Sequence, residues 1–182
     1  MPKSKWNLNT IYISERLQES LRPISRCAMT TVVAPMGYGK TTAVEWYLAE
    51  RARAEAPYIV RISVYSGNLA IFWKSVQDAF ARAGFAFLRE YDCPTDGASG
   101  GLLIDDLCHA LTGEKSCYIF IDDFHLLTAK RAPGFLCALA GRLPPNVHLI
   151  LARRDPFLPA AALVRLGRKV SQVGPAQLRP NP

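Results

Sequence analysis

The feature that most constrains this chain is a glycine-containing stretch at residues 34–42, Ala-Pro-Met-Gly-Tyr-Gly-Lys-Thr-Thr. A β-branched run at residues 31–33 precedes it, and a helix-forming run follows it. A strand, a tight glycine loop and a helix N-terminus in this order form a phosphate-binding loop, because glycines let backbone N–H groups close around phosphate oxygens. The stretch therefore predicts an α/β domain that binds a phosphorylated ligand.

The loop residues fit the pattern G-x-x-x-x-G-K-[ST] at all but its first position, where this chain has Ala34. Ala34 is small and falls at the end of the predicted strand, so we treat the departure as minor. In this pattern Lys40 reaches the β- and γ-phosphates, and the hydroxyl of Thr41 completes the coordination of Mg²⁺. A G-K-T at a helix start also arises by chance, so the rest of the chain has to support the assignment.

Length, charge, cysteine content and the length of apolar runs narrow the class of protein to which this chain belongs. The 182 residues suit one domain with a full core, the net charge is +7, and the lysines and arginines are spread along the chain instead of forming a basic block. Such a charge could favour polyanions in general, but we prefer the interpretation of an ordinary solvated surface. Five cysteines without a C-x-x-C pair exclude zinc spacing and indicate unpaired thiols in a reducing compartment. No run approaches the length of a membrane span, so we predict a soluble, cytoplasmic protein.

Strand and helix patterns alternate along the chain. Strands are predicted at 30–34, 58–64, 117–121, 147–152 and 168–173, and helices at 14–21, 40–54, 69–83, 102–111 and 132–143, with a mobile loop at 91–101. This alternation predicts an α/β fold, a three-layer sandwich around a central parallel sheet of about five strands. We divide the chain into an N-terminal arm (1–13), a core (14–174) and a C-terminal tail (175–182).

An acidic pair, Asp122 and Asp123, follows the apolar run Tyr-Ile-Phe-Ile. Four apolar residues and then acid is the form of a Walker B element, in which the strand is buried and the carboxylate emerges beside the phosphate loop. Asp122 would hold Mg²⁺ together with Thr41, and Asp123 would orient or deprotonate an attacking water. A buried strand that ends in a solvated acidic turn is the alternative.

Arg153 and Arg154 follow the fourth predicted strand. An arginine at this point stabilises charge on a phosphoryl group, whereas two solvated arginines at a strand end would give the same pattern. His125, three residues after Asp122, is interpreted as a structural group and not as a catalyst. Because ligands collect at the carboxyl ends of parallel strands, we expect the loop, the acids and the arginines to converge on one edge of the sheet.

Together these segments resemble the ATPase domain of large LuxR-type, MalT-like transcriptional regulators, a STAND class of P-loop NTPases that is NB-ARC- and AAA-like. The resemblance is carried by residues 34–42, by Ile-Asp-Asp-Phe-His-Leu-Leu at 121–127 and by Leu-Ile-Leu-Ala-Arg-Arg-Asp-Pro at 149–156. Arg16-Leu17 and the segments 61–64 and 71–73 are also similar to the family, and the likeness extends over about residues 12–180.

The resemblance implies ATP and Mg²⁺ as cofactors, catalytic roles for Lys40, Asp123 and Arg154, and metal ligation by Thr41 and Asp122. The residues implied to contact the nucleotide are Ala34, Pro35, Met36, Gly37, Tyr38, Gly39, Lys40, Thr41 and Thr42. The family usually ends its fourth strand in Ala-Ser-Arg, where this chain has Ala-Arg-Arg. Arg154 therefore aligns with the sensor arginine, and the division of labour between it and Arg153 stays open.

In such regulators, inducer-gated ATP binding switches a closed monomer into an assembling, DNA-binding form. The resemblance thus predicts an ATP-binding switch domain with slow hydrolysis, whose partners are ATP or ADP and further copies of itself. DNA binding is expected only through sensor and helix-turn-helix domains that this chain does not contain. No membrane partner is expected.

Two other functions stay open. One is a free-standing P-loop enzyme such as a small-molecule kinase, which should carry an arginine-rich substrate lid, whereas residues 128–145 contain only Lys130, Arg131 and Arg142. The other is a fragment that binds a partner and has no ATPase activity. The preference for adenine over guanine rests on the resemblance and on the absence of a guanine-reading N-K-x-D element.

Overall fold

The chain was analysed in a computed structural model that describes residues 13–124, 131–156 and 158–179. The predicted N-terminal arm lies outside the described residues except for Ile13, and so do His125 and the last three residues of the predicted tail.

The described residues form strands that alternate with helices, except that two α-helices lie between the second and third strands. In chain order these elements are α1 (Glu15–Leu21), β1 (Met29–Val33), α2 (Lys40–Glu55), β2 (Tyr58–Ser63), α3 (Leu69–Arg82), α4 (Gly97–Leu111), β3 (Cys117–Asp122), α5 (Ala132–Arg142), β4 (Val147–Arg153), α6 (Ala160–Leu166), β5 (Val170–Val173) and α7 (Pro175–Leu178). Short 3-10 helices follow three of the α-helices, at Arg22–Ser25, Ala86–Glu90 and Gly167–Lys169.

The strands form one parallel sheet in the order β2-β3-β4-β1-β5. The three central strands are apolar and almost wholly buried, because helices cover both faces of the sheet. In the register of β1 with β4, Val33 lies opposite Arg153, so these two strands end at the same level. The same holds for β2 and β3, where Ser63 lies opposite Asp122.

Two apolar clusters fill the space between the sheet and its helices. The larger one packs α3, α4, α5 and α6 against one face, and the smaller one packs α1, α2 and α7 against the other. The predicted three-layer α/β sandwich is thereby confirmed. Within the described ranges, no helix has the length and apolarity needed to cross a bilayer.

The cysteines carry no disulfide in this fold. All five are free, and Cys117 and Cys137 are buried. Burial raises the pKa of the Cys117 thiol to about 12, so this side chain behaves as a small apolar group at neutral pH.

Most predicted element boundaries lie within two residues of the observed ones. Ser14 caps α1, since its side chain accepts a hydrogen bond of 3.1 Å from the amide of Leu17. The short helices α6 and α7 were not predicted from the sequence. Pro159 is the N-cap of α6 and Pro175 is the first residue of α7, and proline is tolerated at the start of a helix because its missing N–H has no helical partner there.

One prediction was wrong. The mobile loop expected at residues 91–101 ends early, because α4 begins at Gly97 and not at the predicted residue 102. The side chain of Asp96 accepts a hydrogen bond of 2.8 Å from the amide of Ser99, and the Ser99 hydroxyl interacts in return with the amide of Asp96. This capping box starts the helix in spite of the low helix propensity of the glycines that follow.

We expect Asp96→Ala to lower the thermal midpoint of the domain at pH 7, because it removes this cap. Hydrogen bonding from Ser99 lowers the pKa of Asp96 below its usual value. A carboxylate whose pKa is lowered on folding stabilises the fold above its unfolded pKa, about 3.9, and this contribution is lost as the pH falls through the folded pKa. The difference in thermal midpoint between wild type and variant should therefore shrink below about pH 4.

The matched control is Asp92→Ala, which removes an exposed carboxylate four residues earlier, outside the helix. Thermal unfolding followed by circular dichroism measures both variants. Equal midpoints for the two variants at pH 7 would show that the cap contributes nothing to the stability of the fold.

Candidate functional site

Three neighbouring strands bring the predicted site residues to one edge of the sheet. β3, β4 and β1 are adjacent, and their carboxyl ends carry Asp122, Arg153 and the glycine loop. The amide of Ala34 donates a hydrogen bond of 3.2 Å to the carbonyl of Arg153, which fixes the start of the loop against β4. The expected convergence of loop, acids and arginines is therefore present in the fold.

The loop between β1 and α2 depends on two glycines for its shape. Gly37 has a φ of +88° and Gly39 a φ of +78°, a backbone conformation that strains other residues. A Cβ added at either position would meet nothing within 4 Å, so conformation and not crowding requires glycine. The same observation shows that the space above the loop is open. Gly39 also precedes the first turn of α2, whose unpaired N–H groups favour an anion there.

Lys40 begins α2 and folds back over the loop. Its Nζ donates hydrogen bonds to the carbonyls of Ala34, at 2.6 Å, and Pro35, at 3.2 Å. These bonds hold a positive charge at the mouth of the loop, where the helix N-terminus already favours negative groups.

Thr41 and Asp122 lie in direct contact although 81 residues separate them in the chain. The Thr41 hydroxyl donates a hydrogen bond of 2.8 Å to Oδ2 of Asp122. Burial raises the pKa of Asp122, and the charge of Asp123 raises it further, while the bond from Thr41 and the charge of Lys40 oppose the rise. The charged form of Asp122 is therefore disfavoured in this environment, and a cation beside the carboxylate would stabilise it.

Asp123 begins the turn after β3 in the left-handed region, with a φ of +55° that aspartate tolerates better than most residues. Its amide donates a hydrogen bond of 2.9 Å to Oδ1 of Asp122. Because Thr41 donates to Oδ2, both oxygens of the Asp122 carboxylate are held by hydrogen bonds. The turn leaves the Asp123 carboxylate exposed at the edge of the sheet.

A cleft of about 240 Å³ lies above the loop. All eight residues that line it are predicted contact or catalytic positions: Met36, Gly37, Gly39, Lys40, Thr41, Thr42, Asp123 and Arg154.

The two arginines take different environments. Arg153, the last residue of β4, has its guanidinium 5.6 Å from the ring centre of buried Phe124, and burial lowers its pKa. Arg154 is exposed and lines the cleft. Successive residues at the end of a strand point in opposite directions, which explains the difference.

The remaining predicted contact residues do not line the cleft through their side chains. Ala34 is buried beneath the loop, and Pro35 contributes its carbonyl to Lys40. Tyr38 turns to the C-terminal segment, where its hydroxyl accepts a hydrogen bond of 3.1 Å from Nη2 of Arg179.

This contact with Arg179 was missed in the sequence. The Arg179 guanidinium lies 5.9 Å from the ring centre of Tyr38, and its carbonyl accepts a hydrogen bond of 3.1 Å from Nη2 of Arg16. Residues at the two ends of the described chain therefore brace the tip of the loop. No local signal marks such a contact, because 141 residues separate Tyr38 from Arg179.

The donors beside the loop have the chemistry that Mg²⁺ prefers, a hydroxyl and a carboxylate oxygen. Among the described residues, no group of three or more His, Cys, Asp or Glu side chains is placed to hold a metal ion. A divalent cation at Thr41 and Asp122 would therefore need further oxygen ligands from phosphates or water.

Comparison with known protein families finds one that matches most of this chain. A family model described as an AAA domain matches residues 22–150, a span that includes the glycine loop and both acids. No curated protein sequence matches the chain.

Solved structures with a similar fold include Cdc6p from Pyrobaculum aerophilum, with 15% identity and a TM-score of 0.53 over 91% of this chain and 48% of that chain. A structure of Drosophila ORC bound to AT-rich DNA and Cdc6 has 10% identity and a TM-score of 0.54, over 90% and 56% of the two chains. Another, Drosophila ORC bound to DNA, has 14% identity and a TM-score of 0.56, over 88% and 41%. The chain spans about half the length of these proteins.

Proposed function

This chain belongs to the AAA domain family, and we propose that its cleft binds Mg²⁺-ATP and hydrolyses it slowly, as the switch domain of a LuxR-type transcriptional regulator. Membership of the family fits nucleotide binding. The regulatory part of the proposal is supported by the sequence resemblance of residues 34–42, 121–127 and 149–156 to such regulators.

The contact between Thr41 and Asp122 carries the proposal. It joins the start of α2 to the end of β3 at 2.8 Å, directly beside the glycine loop. A hydroxyl and a desolvated carboxylate at this point are suited to a divalent cation that neutralises the charge of bound phosphates. Burial makes the charge of this carboxylate costly, and a cation beside it would offset that cost.

The phosphates would lie above the loop, where the space is open. Backbone N–H groups of the loop and of the first turn of α2 would donate to the phosphate oxygens. Lys40 would exchange the carbonyls of Ala34 and Pro35 for the β- and γ-phosphates, a charge-assisted interaction.

Asp123 and Arg154 are the proposed catalytic groups at the rim of the cleft. Asp123 would orient or deprotonate the attacking water, and Arg154 would stabilise the negative charge on the γ-phosphate. Of the two arginines we assign this role to Arg154, because Arg153 packs on Phe124. Slow turnover is expected because the cleft is shallow, with both groups exposed and Met36 78% exposed, so that water is not excluded.

The proposed partners are ATP, ADP and further copies of this chain, with DNA contacted by other domains of a regulator. Association between copies is proposed by analogy with the complex of Drosophila ORC and Cdc6, in which different proteins of similar fold are bound to one another.

The proposal is tested by titrating the chain with a fluorescent ATP analogue with and without Mg²⁺. We expect saturable binding that Mg²⁺ strengthens on the order of tenfold. Asp122→Asn should abolish this gain and leave Mg²⁺-free binding in place, because the variant loses only the negative charge that faces the cation. The fold should survive, since an ionised Asp122 is disfavoured by burial.

Asp92→Asn, at an exposed position before α4, is the control and should retain the full effect of Mg²⁺. Binding by neither wild type nor control would contradict nucleotide binding by this domain. Phosphate release at about ten per second or faster, within the ordinary range of enzymes, would contradict the slow switch and favour a free-standing enzyme.

A further inference from the structure

A second cleft lies on the helical face that covers the larger apolar cluster. It runs between α5 and the segment formed by α6 and its 3-10 extension, and its volume is about 420 Å³. The side of α5 that faces it carries Gly134, Ala138 and Gly141, whose spacing places them on one face of the helix. This second cleft shares no lining residue with the cleft above the glycine loop.

Three cationic side chains line this second cleft, Arg142, Arg165 and Lys169. Arg142 forms an exposed ion pair with Asp105, and Nζ of Lys169 donates a hydrogen bond of 2.7 Å to the carbonyl of Gly141. Arg165 is exposed and has no carboxylate within ion-pair distance among the described residues. Exposed pairs of this kind are weak, so all three charges are available to an incoming anion.

The last third of the chain is rich in basic residues and poor in acidic ones. Residues 124–182 contain nine lysines and arginines and one acidic residue, Asp155, whereas residues 1–123 contain thirteen basic and fourteen acidic residues. The whole net charge of +7 therefore arises in the last third of the chain. This asymmetry gives no local signal in the sequence, because it consists of a scarcity of acidic residues and not of a run of basic ones. Charge asymmetry along a sequence is typical of proteins that meet polyanions, and the second cleft holds Arg142, Arg165 and Lys169 of this basic third.

The lining residues restrict the ligand further. Guanidinium and ammonium groups bind phosphate oxygens well, and a wall of small residues lets a bulky ligand approach the helix backbone. None of the eight described residues that line the second cleft is aromatic, so it offers no surface on which unpaired bases could stack. The lining residues therefore fit a nucleic acid whose backbone phosphates contact the cations and whose bases stay stacked inside a duplex.

We propose that the second cleft, between α5 and α6, binds the phosphate backbone of duplex DNA without reading its sequence. The domain itself then contributes to DNA binding, in addition to the separate DNA-binding domains of a regulator. The two clefts are distinct, so DNA and nucleotide bind without competing for the same residues.

The test is fluorescence anisotropy of a labelled duplex of about 20 base pairs, titrated with the chain at several NaCl concentrations from about 50 to 200 mM. Wild type should bind, with an affinity that falls linearly in log–log form as salt rises. Arg165→Ala should weaken binding about tenfold at the lowest salt and reduce the salt slope by about 0.9, the value for one phosphate contact. Its exposed position predicts an unchanged circular dichroism spectrum and thermal midpoint.

The matched control is Arg82→Ala, which removes the same charge from an exposed position at the end of α3, outside the second cleft. It should change affinity less than twofold and leave the slope unchanged. Equal losses of affinity in the two variants would overturn the proposal, because they would show that the duplex responds to the overall positive charge of the protein and not to the second cleft.

Three further outcomes overturn it. One is no binding of the duplex at the lowest salt. Another is displacement of the duplex by a polyglutamate of matched charge as effectively as by unlabelled DNA, since this would show a site for any acidic chain. The third is displacement of the duplex by ATP at equal phosphate concentration, since this would place the DNA backbone in the cleft above the glycine loop.

Discussion

Lys40→Ala should weaken binding of Mg²⁺-ATP about 10- to 100-fold, the range expected for the loss of a charge-assisted hydrogen bond to phosphate. In the structure the Lys40 ammonium is already held over the loop by the carbonyls of Ala34 and Pro35. It therefore needs only a short movement to reach a phosphate oxygen above the loop, and among the described residues no other lysine lines the cleft. The measurement is the same titration with a fluorescent ATP analogue.

This variant should fold as well as wild type. Lys40 is the first residue of α2, and a positive charge at a helix N-terminus opposes the helix dipole, so its removal offsets the loss of the two carbonyl contacts. Lys74→Ala, at an exposed position in α3, is the control and should bind like wild type. A Lys40→Ala protein with native stability and wild-type affinity would show that nucleotide phosphates do not lie above this loop.

Leu151→Ala should destabilise the domain by about 2–5 kcal/mol. Leu151 lies in β4, the central strand, is 0% exposed and packs within the larger apolar cluster. Truncation removes buried methyl groups and leaves a cavity that the surrounding sheet and helices cannot close. The loss is a large part of the total stability of a domain, about 5–15 kcal/mol, and urea unfolding measures it.

Val164→Ala is the control for this prediction, since Val164 lies in α6 and is 83% exposed. It should change the free energy of unfolding by less than about 0.5 kcal/mol. A cost below about 1 kcal/mol for Leu151→Ala would show that β4 is not at the centre of a close-packed sheet.

Much of the candidate site could be read from local patterns. The glycine loop is encoded in adjacent residues, because only glycine takes the φ of +88° at Gly37 and +78° at Gly39 without strain. Asp122 and Asp123 were also recognisable from adjacent residues, because they follow an apolar run that forms a strand buried on both faces. Family membership agrees with these patterns, whereas the LuxR-type assignment and the residue roles remain proposals.

The start of α4 shows a local signal that was present and overlooked. Asp96 and Ser99 form a capping box, but the glycines between and after them were read as a loop. The cap satisfies amides that a helix start leaves unpaired, and this outweighed the low helix propensity of glycine.

The sequence by itself determined which segments become strands and helices, because periodicity, caps and turn residues act over a few positions of the chain. Only the tertiary structure decided which of these segments meet. It brought Thr41 to Asp122, turned Arg153 onto Phe124 and Arg154 into the cleft, and placed Arg179 against Tyr38. It also gathered the three cations of the second cleft from α5 and the α6 segment. The physical reason is that strand order and helix packing depend on burying apolar surface over the whole chain, and no local pattern of residues records that sum.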